Sequence, residues 1–222
     1  MREIVETIEY KGYTIKIYPD EMAADPREWE NLGKMVCFHG RYNLGDKHDY
    51  KTEDFDGWKE MSEHLIKEEG ALVILPLYLY DHSGITMSTG SFSCPWDSGQ
   101  VGFIYADKKM ILDFYGGKKV TKAKLKRVEK GLRAEVEVYD SWISGSCYGW
   151  NADDPDGDEI DDSCWGYYGY NWKENGLREA AENAIDCEIE KREKEAEEDR
   201  LAKVRKAKAL VRNRVPLERR WA

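Results

Sequence analysis

The chain has 222 residues, of which 41% are hydrophobic and 35% charged, with a net charge of −10 and a pI near 5.1. That length suits one compact domain with a sizeable core, and the acidic balance argues against general binding to nucleic acid. No apolar run reaches membrane-spanning length and Met1-Arg2-Glu3 opens no signal peptide, so the expectation is a cytoplasmic protein without a membrane partner.

In chain order, Ile4 to Tyr10 and Tyr13 to Tyr18 read as a hairpin turning at Lys11-Gly12, the second strand alternating with period two. Residues 19–31 form an acidic loop, and Lys34 to His39 a short strand. Gly40 to Phe55 has no periodicity and reads as a long loop. Asp56 is placed to cap a helix through Glu68 with Trp58, Met61 and Leu65 on one face, and Gly70 stops it. Ala71 to Tyr80 is the best central strand. Pro76 lacks an amide there, so a bulge or an unpaired side is expected at that point. Gly84 to Ser88 and Val101 to Tyr105 are further strands. Asp107 begins a short helix, and Thr121 caps a longer one in which Leu125, Val128, Leu132, Val136 and Tyr139 recur at helical spacing. Two aromatic segments, 147–150 and 164–170, flank an acidic turn, a second hairpin.

From Leu177 the chain reads as one helix, free of glycine and proline up to Val215. Residues 177–199 hold ten acids and four bases, and residues 200–220 hold nine bases and one acid. The stretch Glu190 to Asp199 is polar on nearly all sides, so it is expected to project into solvent. No sustained heptad demands a coiled coil. The fold class is therefore α+β: a mixed, largely antiparallel sheet with flanking helices and a long protruding C-terminal helix. The expected division is 1–176 for the domain and 177–222 for the charged helix and basic tail.

The segment 76–105 carries the most chemistry. Asp81, His82, Cys94, Asp97 and Ser98 crowd between two buried strands, with Trp96 among them. Polar, reactive and aromatic groups at strand ends mark a shaped site or a specified interface. Cys94 or Ser98 with His82 and an aspartate is a nucleophile–base–orienter set, but Asp-Ser-Gly is far from GxSxG and is more often a turn. His39, Asp46, His48 and His82 are weak metal candidates whose spacing fits no known site; the plain reading is that they hydrogen-bond loop backbone. No motif asks for a cofactor. The five cysteines form no CxxC pair and read as reduced, mostly buried thiols. Residues 153–162 vaguely suggest a calcium loop but carry Pro155 and lack the closing glutamate, so a solvated hairpin tip is the simpler reading. Trp150, Trp165 and Tyr167 offer a stacking platform or, more plainly, sheet packing. The basic end with Arg219 and Arg220 is placed to meet nucleic acid or the acidic face of a host or phage protein, and the C-terminal helix to bring two copies together.

Four segments, 25–48, 75–105, 135–150 and 162–169, together resemble a family of small bacteriophage- and prophage-encoded proteins with no assigned activity. The resemblance spans roughly residues 10–170 and implies a phage accessory protein. It carries over no catalytic residue. The favoured reading is a phage or mobile-element accessory protein acting by binding a host protein in the host cytoplasm, inhibition of a host defence system being one form of this. The alternative is a small hydrolase or nucleotide-acting enzyme built on Asp81, His82, Cys94 and Asp97. A pocket onto which His82 and its neighbours converge would favour the enzyme; polar groups satisfied among themselves would favour the binder.

Overall fold

The computed structural model describes residues 3–214. The class is α+β, with all sheet pairing antiparallel. The strands divide between two four-stranded sheets in place of the one mixed sheet expected.

The first sheet pairs β1 (Glu6–Tyr10), β2 (Tyr13–Pro19), β7 (Cys147–Asp153) and β8 (Cys164–Tyr168) in that order. In β2, Tyr13, Ile15 and Ile17 are buried and their neighbours half-exposed, as period two requires. The second sheet has the order β3 (Lys34–Cys37), β6 (Ser98–Asp107), β4 (Ala71–Asp81), β5 (Ile85–Ser88). It is covered on both faces. Met35, Leu75, Leu77, Leu79 and Ile104 pack on α2 (Lys108–Tyr115) and α3 (Lys122–Ile143). The alternate residues Val36, Phe103 and Tyr105 face α1 (Trp58–Lys67) through Met61 and Leu65.

Local chemistry sets the helix starts. The Asp107 side chain accepts from the Met110 amide, and that of Thr121 from the Lys124 amide. The first turn of α1 differs from expectation. Gly57 is its cap residue, at φ +98°, and Asp56 lies one position outside. At Pro76, β4 pairs with β6 alone, because β5 pairs only with Tyr78 to Asp81; the ladder to β6 also shifts register between Leu77 and Tyr78.

The boundary expected at residue 176 is overturned. Leu177, Ala181 and Ile185 of α4 (Leu177–Arg214) are fully buried against Ile15, Ile17 and Trp150. Their i, i+4, i+8 spacing lays one stripe on the first sheet. Asp186 receives hydrogen bonds from Lys11 and Tyr10. Arg192 reaches Asp154 at 2.8 Å. The first four turns of α4 thus belong to the core, and only the remainder projects. No helix among the described residues is long and apolar enough to cross a membrane.

Candidate functional site

Antiparallel pairing fixes where the chemistry collects. The end of β3, the end of β4 and the start of β6 lie at the same end of the second sheet, with Cys37 opposite Gly102 and Tyr80 opposite Ser98. The segments that leave or enter these strands, the loop 38–48 and the stretch 82–97 with β5 inside it, gather there. Arg41 of the first pairs with Asp81, the last residue of β4.

The first loop folds back on the outer edge of β3. Gly45 stands opposite Val36 at φ +70°, and its amide donates to the Tyr139 hydroxyl at 2.8 Å. A Cβ at this position would lie 2.9 Å from that of Met35, so glycine is required. Asp46 accepts from the Met35 amide and from two nitrogens of Arg27. The Arg27 side chain is only 4% exposed and is also 3.3 Å from Glu135. Glu135 in turn accepts from the amides of Leu32 and Gly33. Burial raises the Glu135 carboxyl above its ordinary value, against the opposing pull of those amides and Arg27. His48 Nε2 sits 2.9 Å from the Cys37 carbonyl, and His39 Nδ1 accepts from the amides of Arg41 and Tyr42 while its ring stacks on Tyr42.

The second loop is also tied internally. The Asp81 amide donates to the Asp97 carbonyl at 2.8 Å, and Ser83 takes a left-handed turn at φ +57°. The Cys94 thiol donates to Asp97 Oδ2 at 3.5 Å, and His82 Nδ1 lies 3.4 Å from the same oxygen. The Ser98 hydroxyl donates to the Cys94 carbonyl. The carboxylate therefore stands between thiol and imidazole. Nucleophilic catalysis needs the imidazole in the middle. His82, moreover, is largely solvent-exposed.

Two clefts open at this end of the sheet, the first between the loops and the second along the first loop and the start of α1. One, of about 500 Å³, is lined by Phe38, His39, Arg41, Asp81, Trp96 and Asp97, among others. The second, of about 710 Å³, shares Phe38 and His39 and adds Tyr42, His48 and Trp58. His82 and Cys94 line neither. The aromatic lining by Phe38, Tyr42 and Trp58 was not anticipated; in the sequence these rings look like ordinary core residues. Trp96 is 91% exposed on the rim of the first cleft.

No family model, curated protein or solved structure matches the chain.

The other candidates scatter. Asp46 and His48 are engaged as described, and among the described residues no group of three or more His, Cys, Asp or Glu side chains is placed to hold a metal ion. Trp150 is 1% exposed in the core of the first sheet and has no face to offer a ligand, a correction to its reading as a binding residue. Trp165 lies over Gly149, where a Cβ would come within 2.2 Å of the ring, and its ring is 6.1 Å from Tyr18. Tyr167 packs half-buried on the same core. The aromatic–glycine segments are thus sheet packing. Arg219 and Arg220 lie outside the described residues. Within the acidic turn, Asp154 accepts from the amides of Asp156 and Asp158 and from Arg192, which pins the hairpin tip to α4. Of the cysteines, Cys37 and Cys147 are buried, Cys94 is half-buried, and Cys164 and Cys187 are exposed. Burial pushes the Cys37 thiol up to about 12 and that of Cys147 to about 11.

Proposed function

We propose that the chain is a phage or mobile-element accessory protein that acts in the host cytoplasm by binding a host protein, with the face around Trp96 as the contact surface. A component of a host defence system is the target class that fits such an accessory protein. The observation that carries the binding reading is the exposure of Trp96. A 91% exposed tryptophan beside a cleft is costly in water and is the residue type most enriched among binding hot spots. The groups around it support binding over catalysis. Asp81 is held by Arg41, His82 and Cys94 both turn to Asp97, and Ser98 is tied to backbone. They stiffen the rim and leave no activated nucleophile. The phage assignment rests on the resemblance of the four sequence segments.

The test is affinity capture from bacterial host extract, with mass spectrometry of the retained proteins. The wild type, Trp96→Ala and Phe114→Ala are run side by side. Phe114 is another exposed aromatic, on α2. The reading expects a protein retained by the wild type and by Phe114→Ala but lost with Trp96→Ala. Equal retention by all three, or no specific retention, contradicts it.

A further inference from the structure

Among the described residues, Arg192 is the last of α4 to bond to the body. Every described side chain from Glu190 onward is exposed. The free stretch, residues 193–214, is about 33 Å long at 1.5 Å per residue. It carries Glu193, Glu197, Leu201, Val204, Lys208 and Arg212 along one side, at steps of four, four, three, four and four. Such steps keep side chains on one face. Leu201 and Val204 are each 43% exposed.

The stripe reads acid, acid, apolar, apolar, base, base. It is its own complement when reversed. In an antiparallel pair centred between Ala202 and Lys203, Glu193 faces Arg212 of the second copy, Glu197 faces Lys208, and Leu201 faces Val204. Every contact then occurs twice, as a two-fold interface requires. Within a single helix the same order is unfavourable, because Glu193 and Glu197, and Lys208 and Arg212, are like charges four apart. Among the described residues, Glu197 alone of these four has an ion-pair partner, Arg200, and both ends of that pair are well exposed, so it holds the side chain weakly. The overlap takes up 193–212 and stops where the helix meets its own body at Arg192. The two bodies are left at opposite ends of the pair.

We propose that the projecting part of α4 is a self-association element that pairs antiparallel with the same stretch of a second copy. Two symmetry-related apolar pairs at the centre, flanked by charges, make a small contact. The association is therefore weak, reversible and salt-sensitive. Nucleic acid suits the stripe less well, since its two acids would face phosphate.

Sedimentation velocity of the full chain tests this, from micromolar to submillimolar concentration, in low salt and in about 1 M salt, where screening reaches about 3 Å. The wild type should move from monomer to dimer with concentration in low salt and return to monomer in high salt. Lys208→Glu with Arg212→Glu should be monomeric, as should Glu193→Lys with Glu197→Lys. An equimolar mixture of the two variants should dimerise, because all the facing charges are again opposite. A wild type that stays monomeric throughout overturns the proposal, as do dimers formed by either variant alone or a mixture that stays monomeric. Should a variant lose its helical circular dichroism, the concentration and salt dependence of the wild type still decides.

Discussion

Trp96 separates binding from stability. It touches little of the fold, so Trp96→Ala should leave the unfolding midpoint in urea unchanged, within about 0.5 kcal/mol. Its removal should weaken partner retention at least about tenfold if it is a hot spot. His82→Ala should likewise be near neutral for stability, since the ring is 62% exposed. Arg27 is the opposite case. Its guanidinium lies between Asp46 and Glu135 at 4% exposure, and Arg27→Met would strand two carboxylates. A loss of about 3–5 kcal/mol in urea unfolding is expected, and a change under 1 kcal/mol would show the cluster to be unimportant. This cluster was not legible in the sequence. Arg27, Asp46 and Glu135 are far apart in the chain, and an arginine in an acidic loop looks solvated.

Element-scale predictions centre on β4 and α4. Beyond its pairing with β5, β4 leaves one side open, and Leu72 there is 47% exposed. Proline on such an edge blocks pairing with another chain. Pro76→Val should therefore raise light scattering at high protein concentration, while an unchanged, monodisperse signal would deny Pro76 that role. For α4, a chain ending at residue 192 should keep its unfolding midpoint. A chain ending at 176 should lose the packing of the first sheet, since burial of Leu177 and Ile185 contributes about 1.5–3 kcal/mol each. Equal midpoints for the two truncations would restore the boundary at 176. The docking of α4 should also depend on pH. The Arg192 guanidinium beside Asp154 holds its carboxyl below the ordinary 3.8. The folded state thus binds that proton less tightly than the unfolded state. The contribution is whole above pH 3.8 and lost as pH falls through the lower folded value. Fluorescence of Trp172, buried in the same core, should report an acid transition that Arg192→Gln moves to higher pH; an unmoved transition would exclude this pair as its source.

At the scale of the whole molecule, the sequence revealed most elements but not their assembly. The hairpin at Lys11-Gly12 and the caps at Asp107 and Thr121 are local features, and all were readable. The split into two sheets depends on β2 meeting β7, with Ile17 opposite Trp150. A pairing that distant leaves no trace in either strand's alternation. The same blindness left Trp150 between a stacking platform and sheet packing; β2 and α4 close over it. In α4, the stripe of Leu177, Ala181 and Ile185 was present but masked by the density of charge. What emerges is a two-sheet body with one internally tied loop pair, a tryptophan on its rim and a helix that leaves the core after four turns.

The most direct test of the binding reading is amide hydrogen exchange of the full chain, free and with the captured host protein. The account predicts that slowed exchange on binding is confined to residues 38–48 and 94–101, with the hairpin 147–168 unchanged. Protection on that hairpin or on β1, with none around Trp96, would contradict it.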